Sequence, residues 1–357
     1  MIRRPVLAMV STDVRRDLVD PLRFFRRIAV VHFARRSTYR DFDDSGALRW
    51  YRTPADLIRH LLALQPDVVQ PPEPIAGRLL PYTLAALLYC QRTGTPLVAV
   101  TFENRPWERK FGRLAPVIRA AAGLLFREAR AVVVLNEGAR RNALAAGADP
   151  ARLRRLLWGA WGVDLAEFSP GAPVDTPQLL FAGRLHEEKG ITDLLDAFAA
   201  MRVSRPDVRL TIAGDGPARS EVQRRAAASG GVELRGVVPN RFLPALLRES
   251  AIVVSPSRTT PKWEEQVGMT NLQALACGVP VIATWSGAIP EYTPLGAGAL
   301  LVPERDPAAL EDAICRLLDN APLRRELGAL GRRFAEREYD AERNVRRAEA
   351  LVLAVAR

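Results

Sequence analysis

Short apolar runs alternate with helical stretches through the first half of the chain. Runs of mostly Val, Leu, Ile and Ala, each bounded by polar or turn residues, predict buried strands. They cover residues 6–10, 28–31, 67–69, 97–101 and 131–135. Residues 55–64, 79–92 and 114–130 have the composition and length of helices. Strand–helix–strand repetition of this kind predicts a parallel sheet with helices on both faces.

The pattern restarts after Pro170-Gly-Ala-Pro173, whose composition predicts a linker between domains. Further strands are predicted at 178–182, 208–213, 232–235, 252–255 and 281–283, and helices at 192–201, 219–228, 242–248, 269–276 and 307–318. The expected fold class is α/β, with two doubly wound, Rossmann-like parallel-sheet domains over residues 1–170 and 171–335. Ligands of such sheets bind at the carboxyl ends of the strands, so we expect the active site in the cleft between the domains.

Composition fits this organisation. The chain has 357 residues, 48% of them hydrophobic and 25% charged, which suits two globular domains. It has no apolar stretch of about 20 residues, and its first apolar run is too short for a signal peptide, so we expect a cytoplasmic protein. The three cysteines and three histidines lack ligand spacing, so neither disulfides nor a metal site is expected.

The formal net charge of +11 points to an anionic partner or to an arginine-rich composition. The stretch Arg109–Arg130 mixes basic and apolar residues, so peripheral contact with the inner face of the membrane stays open beside an ordinary core helix. Nucleic-acid binding would rest on this charge alone and is therefore not expected.

The segment Phe181-Ala-Gly-Arg-Leu-His-Glu-Glu-Lys-Gly190 has phosphate-binding character. It places Gly183 just past a strand, and Arg184 and Lys189 on either side of a short loop that leads into a helix. A guanidinium can make a bidentate contact to phosphate oxygens, and an ammonium adds a point charge. Taken alone, such a pair also fits a solvated surface.

A second segment, Glu264 to Ala283, strengthens the phosphate interpretation. Gly268 lies at the start of a helix whose free backbone N–H groups can hold an anion. Glu265 precedes that helix, and its carboxylate can accept hydrogen bonds from two neighbouring sugar hydroxyls. Gln273 lies about two turns into the helix and could face the same ligand.

Several motifs occur in order and resemble the C-terminal domain of family 4 retaining glycosyltransferases (glycosyl transferases group 1) of the GT-B fold. They are Phe-Ala-Gly-Arg-Leu with Glu-Lys-Gly, Gly214-Asp-Gly-Pro217, Glu265-Gln-Val-Gly268, Ala274-Leu-Ala-Cys-Gly-Val-Pro-Val-Ile-Ala283 and Ser286-Gly-Ala-Ile-Pro-Glu291. Gly162 to Pro170 is similar to the family's domain junction. The resemblance implies an acceptor-binding first domain, a nucleotide-sugar-binding second domain, and a C-terminal helix, residues 336–357, that crosses back to the first domain.

The resemblance also implies residue roles. Arg184, Lys189 and Glu265 are expected to be catalytic: the two cations hold the donor diphosphate, and the carboxylate binds the transferred sugar. Other donor contacts are expected from Gly183, Val237, Val238, Gln266, Val267, Gly268, Met269, Thr270 and Gln273. Glu291 matches a later motif and receives no firm role. No cofactor or metal is implied, because the nucleotide-diphosphate sugar is a co-substrate.

The chain departs from the family pattern at three places. Gln273 stands where the family usually has a second Glu that binds the ribose, and an amide binds more weakly there because it lacks charge. Ser11-Thr-Asp13 stands in place of a Gly-Gly loop, and Thr101-Phe-Glu-Asn104 in place of a segment with a histidine. Ser11, Glu103 and Asn104 follow predicted strands, so we expect them to contact acceptor or sugar. For Glu73, between two prolines, a structural role is favoured.

The expected function is metal-independent transfer of a hexosyl unit, with retention, to a hydroxyl acceptor that is a glycan, a lipid-linked sugar or a small molecule. Two alternatives stay open. One is a GT-B sugar-nucleotide epimerase, for which Glu103 and Glu265 would serve as acid and base. The other is a catalytically weak homologue that only binds nucleotide sugars.

Overall fold

The computed structural model describes residues 3–37, 48–74, 79–172, 174 and 176–357. Its contacts divide the chain into unit 1, residues 1–161 with 341–357, and unit 2, residues 162–340. Pro173 of the predicted linker lies outside the described residues. Val163 N–H donates to the carbonyl oxygen of Tyr339 at 2.6 Å, which ties the two ends of unit 2 together.

The described residues of unit 1 form nine short strands. They are β1 (Val6–Val10), β2 (Asp13–Val14), β3 (Ala29–Ala34), β4 (Arg36–Ser37), β5 (Leu48–Trp50), β6 (Val68–Gln70), β7 (Val98–Thr101), β8 (Ala131–Val134) and β9 (Leu153–Arg155). The sheet order is β5-β3-β1-β6, and a second sheet runs β7-β8-β9. All these neighbours are parallel, and a parallel bridge between Val69 and Leu97 links the two sheets.

Helices connect these strands. They are α1 (Arg16–Val19), α2 (Pro54–Leu64), α3 (Leu80–Thr93), α4 (Trp107–Phe111), α5 (Ala115–Glu128) and α6 (Glu137–Ala145). The start of α2 shows how the sequence sets a boundary: Thr53 Oγ1 accepts the N–H of Asp56, and Pro54 occupies the first helical position. The core packs the helices on the sheet and includes the fully buried side chains of Phe33, Tyr51 and Trp107.

In the part of unit 2 that the structure describes, six parallel strands form one sheet. Its strands are β10 (Gln178–Ala182), β11 (Arg209–Ala213), β12 (Val232–Gly236), β13 (Ile252–Ser255), β14 (Val281–Thr284) and β15 (Ala299–Val302). The order β12-β11-β10-β13-β14-β15 is that of a doubly wound nucleotide-binding sheet. Its helices are α7 (Ile191–Arg202), α8 (Arg219–Ser229), α9 (Leu243–Arg248), α10 (Met269–Ala276), α11 (Ile289–Tyr292), α12 (Pro307–Asp319) and α13 (Ala321–Glu338). The predicted fold class, α/β with two parallel-sheet units, is confirmed.

The last helix, α14 (Ala341–Val355), belongs to unit 1. Its buried Glu349 carboxylate accepts the backbone N–H groups of Arg26, Arg27 and Ile28 at 2.8, 2.5 and 3.2 Å. Those donors precede β3, so one side chain joins the final helix to the start of a central strand.

We expect Glu349→Ala to lower the free energy of unfolding by about 2–4 kcal/mol, because three backbone donors lose a charged acceptor. Urea denaturation followed by circular dichroism measures the change. Glu342→Ala is the control on the same helix: it removes a partly exposed carboxylate paired with Arg26 at 2.8 Å, for an expected loss below about 1 kcal/mol. Equal losses for the two variants would contradict the role given to Glu349.

Candidate functional site

The order of strands in unit 2 reverses between β10 and β13. The chain leads from β10 toward one edge of the sheet and from β13 toward the other. Open parallel sheets bind ligands at such a switch point, outside the carboxyl ends of the strands. Two loops leave the sheet there: loop A, residues 183–190, and loop B, residues 256–268. Loop A carries Arg184 and Lys189, and loop B carries Glu265 and Gly268.

Loop A is held by close backbone contacts. Gly183 N–H donates to the carbonyl oxygen of Ala213 at 2.9 Å. Gly190 has a φ of +64°, and a Cβ atom there would lie 1.8 Å from the carbonyl oxygen of Pro256. Only glycine therefore lets loop A touch loop B at this point. Lys189 is fixed immediately beside that contact.

An ion pair joins the two loops. Lys189 Nζ lies 2.5 Å from Glu265 Oε2, and Ser257 Oγ donates to the same oxygen at 3.0 Å. The Lys189 ammonium also lies 4.7 Å from the centroid of the Trp263 ring. Glu265 is buried. Residues 76 positions apart in the sequence are thus brought into one charged pair.

The Glu265 carboxyl is ionised. Burial alone would raise its pKa, but the Lys189 charge and the hydrogen bonds from Lys189 and Ser257 outweigh it, so its pKa lies below the usual value. A buried carboxylate with this support can accept hydrogen bonds without taking up a proton.

Arg184 is the more exposed cation of loop A. Its guanidinium is about half exposed, and Nη2 lies 2.8 Å from Glu188 Oε1. The other oxygen of Glu188 lies 2.5 Å from His186 Nδ1. Because the Arg184 side chain is 54% exposed, a ligand phosphate can reach it as well as Glu188.

Helix α10 begins directly after loop B. Gly268, with a φ of +77°, precedes it, and the carbonyl oxygen of Gly268 accepts the N–H of Asn271 at 2.9 Å. The first N–H groups of a helix have no partner within it, so those of Met269 and Thr270 are available to bind an anion. Thr270 Oγ1 donates to the carbonyl oxygen of Ala182 at 3.1 Å, which ties the helix start to the end of β10.

Two polar residues beside this helix start were not singled out from the sequence. Asn271 is fully buried, and its side-chain nitrogen and oxygen have no hydrogen-bond partner among the described residues. Asn240 Oδ1 accepts from Gln273 Nε2 at 3.3 Å. This bond brings the buried Gln273 to the segment that follows β12, where Val237 and Val238 lie, and the side chain of Val237 is half exposed. No sequence motif marks Asn240, so only its contact with Gln273 in the folded structure identifies it.

Gln266 and Val267 complete loop B. Val267 is buried, whereas Gln266 is half-buried. Glu291 lies in the first turn of the short helix α11, and its N–H donates to Ala288. The carbonyl oxygen of Glu265 accepts the N–H of Ala288 at 2.8 Å. This bond connects the residue before α11 to loop B.

Ser11 follows β1 of unit 1, beside the switch point of that sheet. Its Oγ lies 2.7 Å from Nε2 of the buried His32, and Tyr51 Oη donates to its carbonyl oxygen at 2.8 Å. Burial lowers the pKa of His32 to about 4, so the imidazole is neutral at pH 7. Ser11 is thereby held by a neutral partner.

Glu103 and Asn104 follow β7 and are both buried. The Glu103 carboxylate is paired with Lys110, and its Oε1 accepts the N–H of Arg105 at 3.0 Å. Asn142 Nδ2 donates to the carbonyl oxygen of Glu103 at 2.8 Å. The Glu103 carboxylate therefore already has an ion-pair partner and a hydrogen-bond donor within unit 1.

Glu73 organises the same turn. Its Oε1 accepts from Thr101 Oγ1 at 2.9 Å, from Phe102 N–H at 2.7 Å and from Glu103 N–H at 3.0 Å. Burial raises the pKa of Glu73 to about 7, with a smaller contribution from the neighbouring Glu103. The three donors reveal a residue that positions the end of β7, which agrees with the structural role favoured from the sequence.

Within the described ranges, no group of three or more His, Cys, Asp or Glu side chains is placed to hold a metal ion. None of the helices in those ranges combines the length and apolar composition that a bilayer crossing needs.

Comparisons with known proteins relate this chain to glycosyl transferases. Residues 176–320 match the family described as "Glycosyl transferases group 1". A GDP-mannose-dependent monoacylated alpha-(1-6)-phosphatidylinositol monomannoside mannosyltransferase of Corynebacterium glutamicum is 34% identical over 197 residues, 51% of each chain. The match thus spans about half the length of this relative.

A longer match is the alpha-maltose-1-phosphate synthase of Mycolicibacterium smegmatis, 30% identical over an alignment of 289 positions that covers 72% of this chain and 71% of the relative. Among solved structures, Anabaena HepE in complex with UDP has a TM-score of 0.75 at 16% identity and covers 97% of this chain and 99% of its own. At that identity, the likeness shows a shared fold.

The raised pKa of Glu73 predicts a pH dependence of stability. The folded state holds the proton more tightly than the unfolded chain, so the contribution of Glu73 is complete at acid pH and is lost as the pH rises to about 7. Glu73→Gln keeps the acceptor oxygen and removes the titration. We expect this variant to be about 2–3 kcal/mol more stable than the parent near pH 8, with the difference vanishing below about pH 4.

Urea midpoints measured across this pH range test the expectation. Glu137→Gln, at the exposed start of α6, serves as the control and should keep the parental pH profile. Parallel pH profiles for Glu73→Gln and the parent would show that Glu73 does not titrate there.

Proposed function

Because this chain belongs to the glycosyl transferases group 1 family, we propose that it moves a hexosyl unit from a nucleotide-diphosphate sugar to a hydroxyl acceptor, with retention and without a metal. The observation that carries the proposal is the ion pair between Lys189 and the buried Glu265 at the switch point of unit 2. It supplies a cation for the diphosphate and a carboxylate for the sugar at adjacent positions.

The pair reduces the electrostatic repulsion between Glu265 and the diphosphate of the donor. A carboxylate that binds sugar hydroxyls stands close to a diphosphate, and two negative groups repel each other. Lys189 has three N–H donors, so it can keep Glu265 as a partner and still donate to phosphate oxygens. Its charge offsets the repulsion. The second oxygen of Glu265 is proposed to accept from the hydroxyls of the transferred sugar.

Negative charge develops on the diphosphate as the bond from the anomeric carbon to the phosphate oxygen breaks. Arg184, Lys189 and the N–H groups at Gly268 and Met269 are proposed to stabilise that charge from fixed positions. The acceptor hydroxyl then attacks the anomeric carbon from the face that the diphosphate leaves. Its proton passes to the leaving phosphate oxygen. No cofactor takes part.

The remaining donor contacts follow from the same placement. Gln273 is proposed to bind the ribose through its amide, with Asn240 as its partner. The half-exposed Val237, together with Val238, offers an apolar surface for the base. Gly183, Gln266, Val267 and Thr270 are proposed to line the donor through their backbone.

The acceptor is proposed to bind at the carboxyl edge of the unit 1 sheet, where Ser11, Glu103 and Asn104 lie. A glycan, a lipid-linked acceptor or a small molecule would each supply the hydroxyl. The name of the Corynebacterium relative contains a phosphatidylinositol mannoside, which favours the lipid-linked class. We accordingly propose a cytoplasmic protein of glycan biosynthesis.

Helix α5 supports a peripheral site at the inner face of the membrane. Leu114 and Val117, at its start, are 64% and 62% exposed, and Leu124 further along is 49% exposed. The exposed Arg113 flanks them. Exposed apolar side chains beside arginines suit the boundary between acyl chains and anionic headgroups.

Arg184→Ala and Lys189→Ala are each expected to lower kcat/KM for the sugar nucleotide at least about 100-fold, because each removes a donor that acts on the developing charge. Release of nucleotide diphosphate measures turnover, and circular dichroism checks the fold. Arg219→Ala is the matched control, since Arg219 also forms an exposed i,i+4 pair, with Asp215 at 3.0 Å. Parental kcat/KM in either test variant would refute the proposal.

The products of that assay separate the alternatives. Isomerised sugar nucleotide formed without acceptor would identify an epimerase. Tight nucleotide binding without turnover on any acceptor would identify a binding homologue.

The membrane contact predicts a second result. Leu114→Glu with Val117→Glu should reduce sedimentation with phosphatidylglycerol vesicles at least about tenfold, because both the apolar area and the charge balance change. Val203→Glu, at an 88% exposed position of unit 2, should leave sedimentation unchanged. Equal sedimentation of all three proteins would argue against α5 as the contact.

A further inference from the structure

A cavity lies at the amino ends of the unit 2 strands, on the side of the sheet opposite to loops A and B. It has a volume of about 480 Å³ and is lined by Ala251, before β13, and by Val279 and Pro280, before β14. These residues mark the amino ends of the strands, whereas loops A and B leave the carboxyl ends. A volume of this size is within the range of small-molecule sites.

Five arginines line this cavity: Arg248, Arg324, Arg325, Arg332 and Arg333. None of the described lining residues is acidic. Among the residues that the structure describes, only one of the five takes part in an ion pair, Arg332, with its Nε 2.7 Å from Glu336 Oε1. Clustered guanidinium groups repel one another and create a strongly positive potential. An anion in the cavity would relieve that repulsion.

Two of these arginines have a role in the fold. Arg324 is buried, and its Nη1 donates to the carbonyl oxygens of Leu317 and Leu318 at 2.8 and 2.9 Å. Arg332 Nη1 donates to the carbonyl oxygen of Ala276 at 2.7 Å. Both therefore satisfy carbonyl groups at the ends of helices α12 and α10.

The other three arginines are not explained in this way. Arg325 and Arg333 are exposed and lie eight residues apart on α13, which places them on one face about two turns apart. Arg248 makes one long contact, 3.4 Å from Nη1 to the carbonyl oxygen of Ser169. The remaining wall is apolar and includes Pro170 and Val174.

We propose that this cavity binds a phosphate monoester, whose dianionic group contacts Arg248, Arg325 and Arg333. The planar guanidinium forks match phosphate oxygens, and the apolar wall accommodates the group esterified to the phosphate. A soluble phosphorylated metabolite and a phospholipid headgroup share this chemistry.

The site is separate from the candidate donor site. Cys277 and Gly278, at the end of α10, line the cavity, whereas Gly268, the last residue of loop B, precedes the start of the same helix. The helix has eight residues, so its ends are roughly 12 Å apart. The two sites therefore lie at opposite ends of this helix.

The test uses the full chain with Arg184→Ala and Lys189→Ala, which removes the phosphate-binding cations of loop A, and in parallel the full chain with Arg184→Ala alone, which keeps the buried pair of Lys189 with Glu265. Calorimetric titration with phenyl phosphate should show the cavity site on both proteins. Adding Arg325→Ala and Arg333→Ala should weaken binding at least about tenfold, since each guanidinium gives charge-assisted hydrogen bonds. Adding Arg316→Ala instead, an exposed arginine of α12 outside the cavity, should leave the affinity unchanged.

Sedimentation with vesicles of phosphatidylcholine and phosphatidic acid separates the two sources of phosphate. Phenyl phosphate binding that depends on Arg325 and Arg333 supports a soluble ligand, and vesicle binding alone with the same dependence supports a lipid headgroup. The proposal is overturned if neither probe binds, or if binding is the same with and without the two arginines. The proposal is also overturned if the parent protein binds phenyl phosphate and the substitutions Arg184→Ala and Lys189→Ala alone abolish that binding. That result would leave the proposed transfer reaction intact.

Discussion

The ion pair between Lys189 and Glu265 is the contact on which the unit 2 site depends. A buried carboxylate is costly unless a cation and hydrogen bonds support it, and removing one partner of such a pair is strongly destabilising. Lys189 and Ser257 both contact the same oxygen of Glu265. The approach of the two loops requires Gly190, because a side chain there would collide with Pro256. The ion pair therefore forms only where the two loops approach closely, and that approach requires a glycine at position 190.

The topology of the sheets explains why these loops meet. In unit 2 the strands β10 and β13 are neighbours in the sheet although more than 60 residues separate them in the chain, and the loops that follow them share an edge. Unit 1 repeats this arrangement: β1 lies between β3 and β6, and the loops after β1 and β6 carry Ser11 and Glu73. The GT-B fold implied by the family resemblance is confirmed by the likeness to HepE. The same topology leaves the amino ends of the unit 2 strands free for the arginine-lined cavity.

Most of the fold could be predicted from periodicity, because buried parallel strands are short apolar runs with clear ends. Strand β10 and helix α10 have the predicted bounds. Helix α6 was not predicted, since Gly138 and Asn142 weaken its helical pattern; Gly138 is required there because a Cβ would lie 2.5 Å from the carbonyl oxygen of Asn104. Motifs predicted Lys189 and Glu265 but not their ion pair, nor the contacts of Ser257 and Asn240, because these depend on loops that only the folded sheet brings together.

In the proposed reaction, Lys189, Arg184 and the start of α10 replace a metal ion as the partner of the diphosphate. Turnover of the sugar nucleotide in excess EDTA, compared with turnover in added Mg²⁺ or Mn²⁺, tests this replacement. We expect equal kcat/KM under both conditions. Loss of turnover in EDTA that is restored by either cation would contradict it.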